Sequence, residues 1–314
     1  MYLLRLSKEN IALSIAEVIA LFGKGYFYDS FFLIDSKVPI NNFKRLSYTK
    51  SIYKVFFSFS YNQIIKIVQK YKWDKILKKS YKISFLGFKD NFDNSKVNNT
   101  IWKSLYNPKV SMTSPFHQIY FIKIGSKCFC CEKILDNNEN FISRSPQNRL
   151  KHIPISLKPN LARCLVNLSG CKDKRSKIVD PFSGTGGILI EASLLGLNVK
   201  GYDISKSMIS IAKLNCRKYK NIDLSVKDFF DLKKTMYIVS ELPFGKNTKK
   251  LSDNFYVNFV NHLSKILVKR AVIVFPGTVN VKKLFNNTEL ILVDVHYYYV
   301  HKSMTRQICV VEKL

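Results

Sequence analysis

The chain has 314 residues, enough for two or three domains that each bury a core of their own. Hydrophobic residues make up 46% and charged residues 23% of it, a globular composition that excludes an intrinsically disordered protein. The 51 Lys and Arg residues against 22 Asp and Glu residues give a formal charge of +29, which attracts polyanions such as nucleic acid. The alternative explanation is a compositional bias toward Lys, Asn, Ile, Tyr and Phe.

Cysteine usage and the start of the chain indicate the compartment. The chain has seven cysteines, and residues 1–5 lead into a patterned segment rather than a hydrophobic signal, so we expect a reduced, cytoplasmic protein. Cys128, Cys130 and Cys131 suggest a metal site, but no second Cys or His pair follows. We therefore expect small buried thiols and no metal. No apolar run reaches the length of a membrane span, so no membrane contact is expected.

The N-terminal half reads as a small α+β unit. We predict a strand at residues 2–6, a helix from Ile11 that Gly23 ends, and a strand at 30–34. A second helix is predicted from Leu46 through the aromatic-rich stretch 53–59. Strands are expected at 101–106 and 119–124, with a loop at 94–100.

Residues 60–83 are crowded with lysines, interleaved with Tyr71, Trp73 and Tyr81. Lysines neutralise phosphates and aromatic faces stack on exposed bases, which favours nucleic-acid binding. A solvated helix whose aromatic rings turn into the core explains the same pattern, and both interpretations stay open. The proline-containing stretch 144–159 is predicted as an extended linker, followed by a helix at about 161–168.

The second half carries the clearest motif. A buried strand at 177–180 runs directly into Pro181-Phe182-Ser183-Gly184-Thr185-Gly186-Gly187, and a helix follows that Gly196 ends. Glycines at such a strand-to-helix turn let a ligand approach the bare backbone. A lone glycine-rich loop is weak support for a cofactor site, so the neighbouring strands decide.

Acids end the next two strands as well. The strand at 198–203 ends in Asp203, where a carboxylate accepts hydrogen bonds from ribose hydroxyls, and Ser205 is placed to cap the next helix. A third strand ends at Asp228, which is placed to receive an adenine amine, with Phe229 beside the ring. Any one of these acids alone fits a helix cap or a surface position, but acids at successive strand ends indicate a cofactor site.

The remaining pattern completes a sheet. A fourth strand ends at Glu241, a helix follows at about 256–267, and an apolar strand is predicted at 271–275. An antiparallel pair is expected at 289–300 and 308–311. Repetition of strand and helix predicts a mostly parallel sheet with helices on both faces, which binds ligands beyond the carboxyl ends of its strands.

These motifs carry a resemblance. The chain resembles class I methyltransferases and, more narrowly, the archaeal and eukaryotic tRNA guanosine-N2 methyltransferases that carry a THUMP domain. The narrower resemblance rests on four local matches, at residues 2–6, 154–159, 161–168 and 301–306.

The resemblance implies an α/β class I (Rossmann-like) methyltransferase domain with a mostly parallel seven-stranded sheet, preceded by an α+β ferredoxin-like/THUMP RNA-binding region. The implied domains are a ferredoxin-like region at 1–49, THUMP at 50–135, a linker at 136–170 and the methyltransferase domain at 171–314. It also implies S-adenosylmethionine as cofactor, tRNA as partner and, for some relatives, a small zinc-binding activator protein. The expected cofactor-binding residues are Asp180, Pro181, Phe182, Ser183, Gly184, Thr185, Gly186, Gly187, Asp203, Ile204, Asp228 and Phe229.

The implied reaction methylates the N2 amine of the guanosine at about position ten of tRNA, with Glu241, Pro243 and Phe244 as catalytic residues. A guanine amine is a poor nucleophile, so side-chain and carbonyl oxygens that accept its hydrogens, with an aromatic ring that stacks on the base, position it for transfer. The family usually has Asp-Pro-Pro-Tyr-Gly here. Glu241 adds a methylene, and Leu242 relaxes a backbone that proline fixes, so activity is expected to be lowered or altered.

Two alternatives stay open from the sequence. The chain is a different amine methyltransferase, acting on ribosomal RNA or on adenine in nucleic acid, or it is an RNA-binding relative that has lost the reaction. If the length of Glu241 is the handicap, replacing it by Asp raises activity.

Overall fold

A computed structural model describes residues 1–35, 37–89, 92–151, 156–243, 253–286, 288–301 and 304–314. Contacts divide the chain into two compact units. The first consists of residues 1–11, 22–43 and 49–138, and the second of residues 12–21, 44–48 and 139–314. This division does not test the domain boundaries expected from the resemblance, which stay predictions.

The first unit is built on a seven-stranded sheet in the order β2-β3-β1-β4-β7-β6-β5, in which only β5 and β6 pair in parallel among the described strands. The strands are β1 (Tyr2–Leu6), β2 (Tyr26–Tyr28), β3 (Phe31–Ile34), β4 (Thr49–Ser60), β5 (Tyr81–Leu86), β6 (His117–Ile124) and β7 (Lys127–Asp136). The helices of this unit are α2 (Ile64–Lys70) and α3 (Ser95–Lys103), whereas nearly all of α1 (Ile11–Phe22) belongs to the second unit. The predicted elements at 2–6, 11–22, 30–34 and 119–124 are confirmed.

Two predictions in this half were wrong. Residues 49–60 form strand β4 rather than a helix, because the stretch pairs with β1 on one side and with β7 on the other. Residues 94–106 are not a loop and a strand, since α3 spans most of them. Val97 and Ile101, four residues apart, are both fully buried and form the apolar stripe of that helix.

The lysine-rich stretch separates into exposed cations and buried rings. Trp73 is fully buried, its Nε1 donates a hydrogen bond to the Val68 carbonyl at 2.9 Å, and Tyr81 is 2% exposed. Tyr71 packs against the rings of Phe57 and Trp73. The rings of this stretch therefore belong to the core, which contradicts base stacking by Trp73 and Tyr81, while the lysines of α2 stay in solvent.

The second unit holds another seven-stranded sheet, in the order β10-β9-β8-β11-β12-β14-β13. Its strands are β8 (Lys177–Asp180), β9 (Asn198–Asp203), β10 (Ile222–Val226), β11 (Thr235–Glu241), β12 (Leu267–Pro276), β13 (Leu290–His301) and β14 (Met304–Lys313). Its helices are α4 (Pro159–Leu168), α5 (Gly187–Leu194), α6 (Lys206–Cys216), α7 (Asp253–Ile266) and α8 (Val281–Phe285). Strands β8 to β12 are parallel and β14 is antiparallel to both neighbours, so the sheet is mixed, with a parallel majority as predicted.

Alternate residues of these strands face two separate cores. Val239 packs with α4 and α5 on one face, whereas Ile238 packs with α7 on the other. Both are fully buried. Because helices cover both faces of the sheet, its strands appear in the sequence as runs of apolar residues. The strand ends are then the place where polar groups reach a ligand.

A buried carboxylate fastens α1 within the second unit. Glu17 is fully buried and accepts hydrogen bonds from the backbone N–H of Ser47 and Tyr48, the Ser47 hydroxyl and the Asn167 amide. Arg45 donates to Asn167 Oδ1 at 2.9 Å. Burial raises the pKa of Glu17, and these hydrogen bonds oppose that rise.

All seven cysteines are free and buried. Cys128, Cys130 and Cys131 lie on β7 with no exposed surface, which confirms the prediction of buried thiols. Within the described ranges, no group of three His, Cys, Asp or Glu side chains is arranged to hold a metal. No helix in the described part of the chain is long and apolar enough to cross a membrane.

Candidate active site

A cavity of about 620 Å³ opens at the carboxyl ends of the parallel strands β8 to β11. That volume falls in the range of about 300–1,000 Å³ typical of small-molecule sites. The sequence-predicted residues that line it are Asp180, Pro181, Phe182, Ser183, Gly184, Thr185, Gly187, Asp203, Ile204, Asp228, Phe229, Glu241 and Pro243. Parallel strands end at one edge of the sheet, so residues far apart in sequence meet in one cavity.

The loop after β8 depends on its glycines. Gly184 and Gly186 have φ values of +48° and +86°, a region that favours glycine. A Cβ at position 186 would lie 2.7 Å from Cys216 Sγ, so the loop packs tightly against α6. The Ser183 N–H donates to the Tyr202 carbonyl at 2.8 Å, which ties the loop to β9. Gly186 therefore lies on the side of the loop that faces α6.

Asp203 links the loop to the next helix. Its Oδ2 accepts a hydrogen bond from the Gly184 N–H at 3.0 Å and its Oδ1 one from the Ser205 N–H at 2.9 Å. Ser205 caps α6 as predicted, through a bond from the Met208 N–H. Burial raises the pKa of Asp203, opposed by the two backbone donors. Each carboxylate oxygen keeps acceptor capacity toward the cavity.

Asp180 is the most deeply buried acid of the cavity, at 1% exposure. Its Oδ1 accepts from the Ser240 hydroxyl at 2.5 Å and from the Phe182 N–H at 3.2 Å. Burial raises the pKa of Asp180 to about 7 against these hydrogen bonds, and the nearby carboxylates of Asp203 and Glu241 raise it further. A cation brought into the cavity therefore favours the charged form of Asp180.

Two phenylalanines differ in what they offer a ligand. Phe229 is 2% exposed, and its ring stacks on Phe259 at 4.6 Å between centroids, inside the core. Phe230, which follows it, is 41% exposed and also lines the cavity. Ile204, another residue that lines the cavity, is 71% exposed. Ile204 and Phe230 therefore each offer an exposed apolar surface to a ligand, and the Phe229 ring packs edge-on against Phe230.

Glu241 enters the cavity at the end of β11. Its Oε1 lies 2.6 Å from Nε of Arg306, which belongs to β14 and is only 4% exposed. Burial raises the pKa of Glu241, and the charge of Arg306 opposes that rise. The Leu242 N–H donates to the Val274 carbonyl at 3.0 Å, a bond that proline cannot make. This bond restrains the backbone that Leu242 was expected to relax.

Of the predicted catalytic residues, Glu241 and Pro243 line the cavity, and Phe244 lies outside the described residues. Gly186 is the one predicted cofactor residue that supports the wall without lining it. Among the residues that sequence reasoning missed are Arg149, Ser156, Met208 and Phe230, which line the cavity, and Arg306, which pairs with Glu241. No local sequence signal marked Arg149, because α4 and β8 separate it from the glycine loop along the chain.

The cavity fits S-adenosylmethionine in its polar groups as well as its volume. The Ser183 hydroxyl is buried and finds no hydrogen-bond partner among the described residues, so it is available to a ligand. Asp203 and Asp228 both line the cavity, and each retains an acceptor for hydroxyl or amine hydrogens. With Asp180 and Glu241, they give one wall four acidic side chains, which suits a cationic sulfonium.

Two family models match the chain. One, described as RMKL-like, methyltransferase domain, matches residues 146–308. The other, described as DNA methylase, matches residues 7–214 and ends before β11, the strand that carries Glu241.

Curated relatives resemble the chain along most of its length. The tRNA (guanine(10)-N2)-dimethyltransferase of Methanothermobacter thermautotrophicus is 28% identical over 285 residues, which is 86% of this chain and 84% of that protein. The protein of the same name from Methanocaldococcus jannaschii is 30% identical over 258 residues, 75% of this chain and 71% of that protein. Among solved structures, TrmN from Thermus thermophilus aligns over 100% of this chain and 99% of its own with a TM-score of 0.51 at 16% identity, which supports the fold.

Proposed function

The chain belongs to the family of RMKL-like methyltransferases, and we propose that it transfers the methyl group of S-adenosylmethionine to the N2 amine of a guanosine in tRNA. The relatives described above carry that activity in their names, at guanine 10. The observation that carries the proposal is the single cavity in which the glycine loop, Asp203 and Asp228 meet Glu241. Donor and acceptor groups thus share one enclosed space.

The polar groups of the cavity define the orientation in which the methyl donor would bind. Asp228, whose carboxylate accepts from the Phe230 N–H, would receive the adenine amine, and Asp203 would accept hydrogen bonds from the ribose hydroxyls. The carboxylate of Asp180, which also lines the cavity, would then receive the ammonium of the amino acid part. When bound, S-adenosylmethionine supplies the electrophilic methyl group. The chain's own contribution is to orient that group and to exclude water from it.

The acceptor side is formed by Glu241, Leu242 and Pro243. Arg306 holds one oxygen of Glu241, so the other oxygen is free to accept an amine hydrogen. A backbone carbonyl of Leu242 or Pro243 would accept the second hydrogen; the resemblance assigns stacking on the base to Phe244, which lies outside the described residues. The target base must leave its helix to arrive here, at a cost of about a few kcal/mol that phosphate contacts of the basic surface offset.

The match to the DNA methylase model favours a second candidate, an amine of DNA as the acceptor. The residues that discriminate acceptors lie after β10, outside that match, which is why we place tRNA first. A relative with lost activity is the third possibility, since Glu241 and Leu242 replace the usual Asp-Pro.

The remaining expectations complete the proposal. Residues 50–135 act as the THUMP RNA-binding domain after a ferredoxin-like region at 1–49, with residues 136–170 as the linker to the methyltransferase domain. The reaction takes place in the cytoplasm, where seven free thiols stay reduced. A small zinc-binding activator protein is a further partner, to be sought by co-purification.

The test uses the full chain with S-adenosylmethionine labelled in its methyl group. Unmodified tRNA, the same tRNA with adenosine in place of guanosine 10, ribosomal RNA and duplex DNA are offered in turn. We expect label in the first tRNA only, recovered as N2-methylated guanosine by mass spectrometry. Label in DNA or ribosomal RNA instead assigns the alternative acceptor. No label anywhere, with tRNA and donor both bound, assigns the inactive relative.

A further inference from the structure

Arg149 places an unmatched positive charge in the donor cavity. Its Nε donates to the Arg144 carbonyl at 3.2 Å and its Nη1 to Thr185 Oγ1 at 3.3 Å. The guanidinium lies against the glycine loop, since a Cβ on Gly187 would sit 3.1 Å from Nη1 and 3.2 Å from Nη2. Two of its five N–H donors are used, so donors remain for a ligand.

The nearest acid is already occupied. Glu191 lies 2.8 Å from Nε of Arg144 and 2.7 Å from Nη2 of Arg163. Across the described residues, no carboxylate oxygen lies within 4.0 Å of Arg149. Burial accordingly lowers the pKa of Arg149, although Glu191 opposes this from a distance. A partly buried cation that lacks an acidic partner in a ligand cavity is stabilised when the ligand brings an anion.

The segment that carries Arg149 is rigidly held. Arg144, five residues earlier, pairs with Glu139 at 2.7 Å and with Glu191 of α5, while Phe141 lies under both Arg144 and Arg163. Arg149 is thus a fixed donor, not a surface side chain that reaches the cavity by chance. Such preorganisation lowers the entropy lost when a ligand is bound.

We propose that Arg149 recognises the carboxylate of the amino acid part of the methyl donor, together with the unpaired Ser183 hydroxyl. The inference rests on the proposed function, which places adenine and ribose at Asp228 and Asp203 and so directs the amino acid end toward Arg149. That carboxylate is the donor's one anion, and a guanidinium binds it with two parallel hydrogen bonds. Arg149 therefore selects donors that keep a complete amino acid.

The test compares binding of S-adenosylmethionine with that of its decarboxylated form, which keeps the ammonium and sulfonium, by calorimetry on the full chain. The wild type should prefer the complete donor. In Arg149→Met the affinity for S-adenosylmethionine should fall by about ten- to a hundredfold, while that for the decarboxylated form stays the same or rises. Arg149→Lys should have intermediate affinities, because lysine keeps the positive charge but lacks the two parallel N–H donors of the guanidinium. Arg175→Met, at a side chain 92% exposed, is the matched control and should change neither affinity.

Equal losses for the two ligands in Arg149→Met, with an unchanged melting temperature, would overturn the inference and leave the proposed function intact. Unchanged affinities would do the same. If Arg149→Met does not fold, the ratio of the two affinities in Arg149→Lys decides, and a ratio equal to that of the wild type overturns the inference. A wild-type chain that binds neither ligand overturns the proposed function, and the inference with it.

Discussion

Nε of Arg306, on β14, lies 2.6 Å from Oε1 of Glu241, at the end of β11, although the two residues are 65 positions apart in sequence. Arg306 is 4% exposed, so the pair is largely shielded from water. An arginine buried in this way is held in place by the strands on either side. The carboxylate of Glu241 is therefore aimed by the fold as well as by its own backbone.

Replacing Glu241 by Asp should lower the methylation rate by about a hundredfold, since the carboxylate withdraws by about an ångström from both Arg306 and the acceptor amine. The sequence alone predicts the opposite sign, because the extra methylene of Glu241 looks like a defect until its partner is known. Single-turnover rates on tRNA at saturating donor measure the effect.

The matched control for this substitution is Glu312→Asp. Glu312 pairs with Arg270 across β12 and β14, but its side chain is 39% exposed and it does not line the cavity. Shortening it should leave the rate within about twofold, as for an exposed ion pair. A rate in Glu241→Asp at or above that of the wild type would show that the pair with Arg306 does not set the geometry.

Asp180 should make the free energy of unfolding depend on pH. Burial raises its pKa to about 7 in the folded chain from an ordinary value of 3.8, so the folded state binds the proton more tightly. Stability from this group is therefore greatest at low pH and falls as the pH rises from about 4 to about 7, by up to about 4 kcal/mol. Urea unfolding of the wild type and Asp180→Asn at several pH values gives this contribution as their difference.

The control for the pH experiment is Asp173→Asn. Hydrogen bonds from the backbone and side chain of Arg175 lower the pKa of Asp173, so its contribution to stability is lost as the pH falls. The two variants should thus change the pH dependence in opposite directions. A difference between wild type and Asp180→Asn that does not vary with pH would contradict the burial of a protonated carboxyl.

The second unit was predictable because its signals are local. Each parallel strand is a short apolar run that ends in an acid or a glycine turn. These end signals lie in the local sequence and do not depend on distant partners. Residues 49–60 failed because β4 is decided by β1 and β7, which are remote in sequence. Its aromatic residues recur at spacings that also fit a helix. In α3 the reverse held, since Asn and Ser, which favour turns, hid a helix whose buried stripe has only Val97 and Ile101.

The site residues that could be predicted likewise depend on local sequence, and those that could not lie on distant segments. Asp180, Asp203 and Glu241 end their strands and Asp228 comes two residues after β10, so their place at one edge of the sheet could be read from the sequence. Arg149 and Arg306 could not, because Arg149 reaches the cavity, and Arg306 reaches Glu241, from other segments of the chain. Which of two consecutive rings, Phe229 or Phe230, is the more exposed in the cavity depends on the turn that follows Asp228. Sequence patterns do not fix that choice.

Gly186→Ala should both destabilise the chain and weaken donor binding. Its φ of +86° costs an alanine about 1–2 kcal/mol, and the added Cβ meets Cys216 Sγ at 2.7 Å, an overpacking worth about 1–3 kcal/mol more. Gly23→Ala is the matched control, with a φ of +90° and open space around the Cβ, so it should show the strain alone. Thermal unfolding and calorimetry measure the two effects.

Cys216→Ala tests the cause of that loss. Removing Sγ makes room for the new methyl, so the double variant should recover part of the stability lost in Gly186→Ala, as a coupling of about 0.5–3 kcal/mol in a double-mutant cycle. Purely additive effects would mean that the loop moves away from α6 instead of clashing with it.

Binding of tRNA should weaken steeply with salt, since the charge of +29 attracts phosphates and releases their counterions. The affinity should fall by about a thousandfold or more between roughly 50 and 200 mM salt if six or more phosphates are contacted. Lys70 and Lys75 are exposed beside the buried Trp73, and replacing both by Ala should reduce the log–log slope by up to about two. Fluorescence anisotropy with labelled tRNA gives the slope. A flat salt response would mean that the basic surface plays no part in tRNA binding. An unchanged slope in the double variant would place the phosphates elsewhere on the chain.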